Sequence, residues 1–271
     1  MDESVQQAVR EAIIKIVKDT ASRKSIERSM RVHEGKLHFI PANYRVLGGL
    51  LQSLNIKFGN FIEKLFALIA EKDSNVETLP LSGKRVHFSM TPETDALIDQ
   101  YITNRQLPDS PDRCDELFSE LLTHIVRIET TENNTKQTIT KDVDTLFRVP
   151  SGQIIYLEIK YNDDHDTGKF VDINRKFIKT YAGLVNQLQI TDQHQLKPIL
   201  YYFNPTKRWG PIYIPSSNIY RGEQLFDEFF EAKFADINSY LRNLSDDEAI
   251  VSIFDQLYQQ IRYGNSPNAI L

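Results

Sequence analysis

The stretch KDVDTLFRVPSGQIIYLEIKYND, residues 141–163, contains two runs of strand-forming residues that are interrupted by charged side chains. Residues 137–149 and 153–161 show the period-two alternation that is typical of strands, and the tripeptide PSG between them suits a tight turn. We therefore predict an antiparallel hairpin at this point of the chain. The charged residues that this hairpin must accommodate are Asp142, Asp144, Glu158 and Lys160.

The PSG turn fixes the register of the predicted hairpin. In that register Asp144 lies opposite Glu158 and Asp142 lies opposite Lys160, with Cβ atoms about 5 Å apart. Because facing carboxylates repel each other, we expect the lysine and a hard divalent cation such as Mg²⁺ to neutralise them. Asp144 and Glu158 are the expected ligands, and Asp142 is a further candidate. The alternative is a solvated strand face whose charges only pair with one another, and the spacing alone does not decide.

Two carboxylates and a lysine around Mg²⁺ would suit the hydrolysis of a phosphodiester bond. A bound metal ion polarises the phosphate and lowers the pKa of a water molecule. Lys160 could orient or deprotonate the nucleophile, and it could offset the charge that develops on the phosphate. The pattern therefore predicts a nuclease site on the hairpin.

The same residues resemble the signature of the PD-(D/E)xK nuclease superfamily. Asp144 is followed by an apolar stretch and then by LEIK, which contains Glu158 and Lys160. The chain departs from the signature in having Val143, and not proline, before the first acid. The resemblance implies a restriction-endonuclease-like α/β core, in which a central mixed β-sheet is flanked by helices.

The superfamily commonly adds a glutamate from an upstream helix. Glu63, in the segment FGNFIEKLFALIAEK, is the best candidate for this role. On a helix, small residues at Gly59, Ala67 and Ala70 would line its stripe and permit close approach of another element. The alternative is an exposed glutamate beside a lysine.

Within the superfamily, the chain resembles a type II restriction endonuclease of the HinfI-like or TdeIII-like sort. The resemblance rests on the length, the helical N-terminal portion and the segment NDDHDTGKFVDINRKFIKTYAGL. It implies a prokaryotic homodimer that cuts a short palindromic site in double-stranded DNA, with one active site for each strand. The alternatives are a repair or recombination nuclease of the same superfamily and a non-catalytic DNA-binding or interaction protein with a structural hairpin.

Basic and amide side chains after the hairpin are candidates for contacts with DNA. Most lie on the amphipathic segment that follows the hairpin, and two lie in a predicted loop beside the only tryptophan. Lysines of this kind contact phosphates, whereas Asn and Arg can also read base edges. Ordinary solvated helix charges, and a tryptophan that only caps the core, are the alternatives. The candidates are Lys169, Asn174, Arg175, Lys176, Lys179, Lys207 and Arg208.

The organisation along the chain favours a single α/β nuclease domain over residues 1–271. We expect a helical N-terminal portion at 1–57, a catalytic core at 58–204 and a C-terminal portion of strand and helices at 205–271. Helices are predicted at 3–20, 42–72 with a break around 54–58, 91–104 and 111–128, and further strands are predicted at 196–204 and 211–214.

Composition narrows the class of protein. The 271 residues carry a net charge of -5, so nucleic-acid binding would have to use local basic patches. The single cysteine excludes an intramolecular disulfide and a cysteine-clustered zinc site. No segment is apolar enough for a membrane span, and the N-terminal sequence does not resemble a secretion signal. We therefore expect a cytoplasmic protein that does not insert into membranes.

Overall fold

The structure is a computed structural model, and its description covers residues 3–107, 113–131, 135–163 and 165–263. Contacts within the chain divide it into two compact units. One unit combines residues 1–61 with residues 233–271, and the other comprises residues 62–232. The predicted single domain stays a prediction.

The first unit is helical in its described residues. Arg10 on the first helix donates to Asp247, just before the last helix, with Nε and Oδ2 2.8 Å apart. A small core of Val46, Leu50 and Leu257 lies within the unit. Its helices are α1 (Glu3–Thr20), α2 (Arg23–Glu34), the first part of α3 (Ala42–Lys72), α8 (Phe234–Leu244) and α9 (Glu248–Tyr263).

The third helix is continuous, so the predicted break around residues 54–58 is wrong. Leu54 has only 2% of its surface exposed and continues the apolar side of the helix. Asn55 is a poor helix former, but one such residue lowers helix stability by well under about 1 kcal/mol. Packing of the apolar face outweighs that cost.

The second unit contains a five-stranded mixed sheet, which confirms the predicted α/β class. Its order is β1-β4-β5-β6-β7. Strand β4 runs antiparallel to both of its neighbours in the sheet, β1 and β5, whereas β5, β6 and β7 run parallel to one another. The strands of the sheet are β1 (Glu77–Thr78), β4 (Thr145–Arg148), β5 (Ile154–Lys160), β6 (Leu196–Tyr202) and β7 (Ile219–Arg221).

A separate two-stranded antiparallel ribbon joins β2 (Lys84–Met90) to β3 (Gln137–Val143). The strand predicted at 137–149 therefore divides at Asp144, and its first half pairs with an element that the sequence analysis did not predict. The second half pairs with β5 as predicted. Gly152, at φ +88° in the turn, adopts a conformation that favours glycine.

Helices cover both faces of the sheet. On one face, α6 (Thr167–Gln187) connects β5 to the parallel β6, and it packs with α4 (Pro92–Arg105) and α5 (Cys114–Thr130). On the other face, Phe66 of α3 contacts Tyr201 of β6 at a ring-centroid distance of 5.0 Å. The short helix α7 (Glu223–Phe229) adds Phe226, whose ring lies 5.3 Å from that of Phe66. None of the described helices is long and apolar enough to cross a bilayer.

The strand predicted at residues 211–214 is wrong, because these residues form bends and the strand comes later, at β7. Tyr213 and Ile214 are buried and pack in the core, which explains their apolar character. Pro211 begins the segment and Pro215 follows it, and neither has the N–H donor that a strand ladder needs.

Close contact between Gly183 and Phe88 fixes the ribbon on α6. A Cβ atom added at Gly183 would lie 2.5 Å from Cγ of Phe88, which is fully buried on β2. No side chain larger than hydrogen fits at this position without movement of the ribbon or the helix.

We predict that Gly183→Ala destabilises the protein by up to about 2 kcal/mol. Overpacking of a core costs about 1–3 kcal/mol, whereas the higher helix propensity of alanine returns up to about 1 kcal/mol. Urea denaturation followed by circular dichroism measures the change. Gly59→Ala on α3 is the matched control, since its added Cβ meets nothing within 4 Å. Equal stability changes in the two variants would contradict the steric explanation.

Candidate active site

Asp144 and Glu158 come together where β3 ends and β4 begins. Thr145 pairs with Leu157, so the preceding residue, Asp144, lies beside Glu158 as the predicted register required. Val149 N donates to Gln153 O at 3.0 Å, which closes the hairpin at the predicted turn. Both carboxylates are buried, with 7% of Asp144 and none of Glu158 exposed.

Glu158 is held by three donors. Its Oε1 accepts hydrogen bonds from Nζ of Lys160 and from Nζ of Lys176, each at 2.7 Å. Its Oε2 accepts a hydrogen bond from the hydroxyl of Tyr156 at 2.9 Å. The buried carboxylate is therefore compensated on both oxygens.

Asp144 shares the same two ammonium groups at longer distances. Its Oδ2 accepts a hydrogen bond from Ile159 N at 2.8 Å and lies 3.7 Å from Nζ of Lys160. Its Oδ1 lies 3.8 Å from Nζ of Lys176. The site is a cluster of two carboxylates and two lysines, which we call the carboxylate–lysine cluster.

Burial and mutual charge separate the protonation behaviour of the two acids. Burial, followed by the charge of Glu158, raises the pKa of Asp144 to about 7. Burial also acts to raise the pKa of Glu158, but Lys160 and Lys176 outweigh it and lower that pKa. Burial acts to lower the pKa of Lys160, yet Glu158 and Asp144 outweigh it and raise that pKa. The structure therefore favours an ionised Glu158 beside an Asp144 that titrates near neutrality.

Lys176 reaches this cluster because its helix connects two parallel strands of the sheet. Its helix, α6, begins after β5 and crosses the face of the sheet before β6. From the sequence, Lys176 is predicted to contact DNA, and its contact with Glu158 is not predicted. The position of Lys176 on its helix could have indicated this contact. Lys176 is three residues from Ile173 and four from Thr180, so it shares a helix face with these two buried side chains.

Glu63 of α3 lies within electrostatic reach of the cluster. The pKa of Glu63 is raised, chiefly by burial. The charges of Lys160 and Lys176 oppose this rise, whereas that of Glu158 adds to it. The side chain of Glu63 is half-buried, so the alternative of an exposed glutamate beside a lysine is wrong. The structure thus brings the predicted helix glutamate towards the predicted hairpin acids.

Asp142 does not lie opposite Lys160, and that part of the predicted register is wrong. It belongs to β3, where its partner across the ribbon is Arg85, and its side chain is exposed. The physical reason is the division of the strand at Asp144, since residues on either side of it belong to different sheets. Asp144 is therefore the hairpin acid that faces Glu158.

The oxygen atoms of the cluster fit a hard divalent cation in their chemistry. A third oxygen atom shares Lys160 with the two carboxylates, since the carbonyl of Ile159 accepts a hydrogen bond from Nζ of Lys160 at 2.7 Å. Such a cation is often bound by one or two carboxylates while it keeps several waters. Among the described residues no three His, Cys, Asp or Glu side chains are grouped as metal ligands, so water and backbone would complete the coordination.

Two of the predicted DNA contacts on α6 are engaged with acids of α4. Nζ of Lys179 lies 2.6 Å from Asp95 and 3.2 Å from Asp99. Arg175 donates from Nε to Asp99 at 3.0 Å. These cations connect the two helices, and in this arrangement they are not free for phosphates.

Asn174 is buried, and it donates from Nδ2 to the carbonyl of Phe170 at 2.7 Å. This placement argues against the prediction that it reads a base edge. Its spacing from Phe170 already puts it on the inner side of α6. Lys169, near the start of the same helix, is exposed.

The loop after β6 carries Lys207 and Arg208, and both side chains are exposed. Oδ2 of Asp163 holds this loop by accepting hydrogen bonds from Arg208 N at 2.8 Å and from Nη2 of Arg221 at 2.7 Å. Burial acts to raise the pKa of Asp163, but the backbone N–H groups of Arg208 and Trp209 and the side chain of Arg221 outweigh it and lower the pKa. The sequence analysis did not identify Asp163, which lies in a loop rich in acidic residues.

Trp209 packs against the core, as one of the alternatives proposed. Its ring stacks on that of Phe170 with 4.6 Å between centroids. The basic residues of the loop, Lys207 and Arg208, are exposed, whereas its tryptophan is partly buried.

We predict that Asp144→Asn raises the melting temperature at pH 8 in the presence of a chelator. A carboxyl whose folded-state pKa is raised from 3.8 to about 7 disfavours the folded state once it ionises, so the variant gains stability above the unfolded-state pKa. Each kcal/mol gained corresponds to about 2–4 °C for a chain of this size. The gain should shrink as the pH falls through 7 and be lost below the unfolded-state pKa of 3.8, where both states bind the proton. Asp227→Asn, at an exposed position of α7, is the control, and a lower melting temperature for Asp144→Asn at pH 8 would contradict the prediction.

Comparison with known proteins identifies the family. Residues 1–245 match the family model described as "Type II restriction endonuclease, HinfI". The chain is 43% identical over 266 residues to the type II restriction enzyme HinfI of Haemophilus influenzae, and the match covers 96% of this chain and 98% of that protein. No solved structure matches the chain significantly. The chain therefore belongs to the HinfI family of type II restriction endonucleases, which are site-specific deoxyribonucleases.

Proposed function

We propose that this restriction endonuclease hydrolyses DNA at the carboxylate–lysine cluster, with Mg²⁺ as its cofactor. One observation carries the proposal: Asp144 and Glu158 are buried side by side, and Lys160 contacts both of them. Burial still raises the pKa of Asp144 to about 7, so the ionised pair costs stability despite its lysine partners, and a structural role explains the arrangement poorly. A role in binding metal and phosphate explains it.

Type II restriction endonucleases generally use a divalent metal ion. We assign Asp144 and Glu158 as the ligands here, together with the carbonyl of Ile159. When bound, Mg²⁺ would polarise the phosphate and lower the pKa of a water molecule. The carboxylates can take up such an ion as their lysine partners move towards the phosphate.

Lys160 supplies a positive charge next to the reacting phosphate. Its side chain is held between Glu158 and Asp144, with only 20% of it exposed. Such a preorganised ammonium group stabilises charge that develops on phosphate oxygens. Glu63 is assigned a supporting role, as an acid that can hold a water molecule or a ligand of the metal ion.

The DNA would lie over the end of the sheet where the cluster and the loop of Lys207 and Arg208 are found. Both side chains are exposed, and the loop is anchored through Asp163, three residues after Lys160. Lys169 is a further exposed candidate. These residues would contact phosphates, which position the duplex but do not specify its sequence.

A homodimer would place one such site on each strand of a palindromic duplex. Two-fold symmetry of the protein then mirrors the symmetry of the DNA site. We propose the homodimer as the state in which a type II enzyme would bind double-stranded DNA. We propose the prokaryotic cytoplasm as its location, because a type II enzyme would meet double-stranded DNA there.

We predict that Lys160→Ala abolishes cleavage and leaves DNA binding intact. The change removes a charge that stabilises the transition state, and losses of about 100-fold or more are typical for such groups. Plasmid or phage DNA is incubated with the protein and Mg²⁺, and fragment ends are sequenced. A mobility-shift assay with Ca²⁺ measures binding.

The aspartate variants provide the internal comparison. Asp144→Ala should remove metal-dependent cleavage, whereas Asp142→Ala should have a smaller effect because its side chain belongs to the ribbon. Unchanged cleavage by Lys160→Ala would refute the assignment of the site. A greater loss in Asp142→Ala than in Asp144→Ala would refute the choice of ligand.

We predict that the double variant Lys207→Ala and Arg208→Ala binds DNA less tightly and with a weaker dependence on salt. Each phosphate that the variant no longer neutralises should reduce the slope of log K against log salt by about 0.9. The cleavage rate with saturating enzyme should change little, because the cluster is intact. Binding titrations at several salt concentrations measure the slope, and an unchanged slope would exclude the loop from contact with phosphates.

A further inference from the structure

We propose that Lys176 is a second catalytic lysine, whose ammonium group contacts the phosphate that is cleaved. The inference rests on the proposed function of the carboxylate–lysine cluster. Nζ of Lys176 lies 2.7 Å from Oε1 of Glu158 and 3.8 Å from Oδ1 of Asp144. Nζ of Lys160 is 2.7 Å and 3.7 Å from the same two carboxylates. The two lysines are thus nearly equivalent in their distances to the acids.

Its neighbours on the same helix show that Lys176 differs from an ordinary surface cation. Arg175 and Lys179 are paired with Asp99 of α4. Lys176 points towards the sheet, at the acid of the strand that also carries Lys160. A cation whose role was only to hold α6 on α4 would pair as its neighbours do.

The second ammonium group exceeds what the fold requires at Glu158. One lysine at 2.7 Å and a tyrosine hydroxyl already satisfy both oxygens of this carboxylate. Two like charges on a single oxygen atom repel each other, so the arrangement gains when an anion arrives between them. With 32% of its side chain exposed, compared with 20% for Lys160, Lys176 is the lysine that an incoming phosphate reaches more easily.

Positive charge accumulates around this position. Burial, followed by the charges of Lys179 and Lys176, lowers the pKa of Lys141. Because Lys179 has Asp95 and Asp99 as partners, Lys176 is the member of this group that faces the catalytic acids. An anionic phosphate at the cluster would relieve the repulsion.

Lys176 transfers no proton in the proposed chemical step. The oxygen of a water molecule bonds to phosphorus, and one ester bond between phosphorus and a sugar oxygen breaks. One proton of the water passes to solvent, and the departing sugar oxygen takes a proton from solvent. Lys176 stays protonated and donates a hydrogen bond to a non-bridging phosphate oxygen, which becomes more negative in the transition state.

The test compares Lys176→Met and Lys176→Arg with the unchanged protein, on a plasmid that the latter cleaves with Mg²⁺. Single-turnover rate constants are measured with enzyme in excess, and DNA affinity is measured separately with Ca²⁺. We expect Lys176→Met to cleave about 100-fold more slowly or worse, with DNA affinity within about threefold of that of the unchanged protein. Lys176→Arg keeps the charge and the contact with Glu158, so it should fold and bind DNA, yet it should cleave at least about tenfold more slowly because a planar guanidinium group is a poor substitute for a point charge.

Three outcomes would overturn the inference. Normal cleavage by either variant would exclude a catalytic role, and the arginine variant decides the matter if the methionine variant does not fold. A loss of affinity by Lys176→Met that accounts for the whole loss of rate would make Lys176 a contact of the DNA backbone alone. Lys64→Met, at an exposed position of α3, is the control for loss of a helix lysine.

Two further variants separate this inference from the proposed function. Lys160→Met and Glu158→Gln should cleave poorly whatever Lys176 does. If both cleave normally, the site itself is wrongly assigned. If both are inactive while Lys176→Met is fully active, only the role of Lys176 fails.

Discussion

The burial of two neighbouring carboxylates is the constraint that organises the second unit. Asp144 and Glu158 can be buried together because ammonium groups and backbone donors compensate for them. That requirement explains why β5 presents Lys160 next to the acids. The same arrangement costs stability at Asp144, whose pKa is raised, and this is the pattern expected where function outweighs stability.

The hairpin that carries Asp144 and Glu158 could be predicted from the sequence because its information is local. The PSG turn fixes the register, and alternation along the strands then places Asp144 beside Glu158. Membership of the HinfI family also supports the restriction enzyme over the two alternatives, a repair nuclease and a non-catalytic protein. Glu63 could be proposed only through a family resemblance, since its neighbours in the fold are far away in the sequence.

The errors came from contacts between distant segments. A continuous alternation over residues 137–149 gives no sign that the chain changes sheets at Asp144, because that change depends on pairing with β2. The charges of α6 look alike in the sequence, yet Arg175 pairs with α4 whereas Lys176 reaches Glu158. Asn174 is polar but buried, and its hydrogen bond within the helix satisfies it there. Only the packing of helix on sheet and helix on helix distinguishes these cases.

The anchoring of the basic loop by Asp163 has a mechanical consequence. Asp163 lies three residues after Lys160, which ends β5. One of its carboxylate oxygens accepts hydrogen bonds from two backbone N–H groups of the loop and from the guanidinium group of Arg221 on β7. The spacing between Lys160 and the loop is thereby set by a short, tethered piece of chain. Under the proposed function, a phosphate bound by the loop would therefore determine which phosphate of the duplex lies at the carboxylate–lysine cluster.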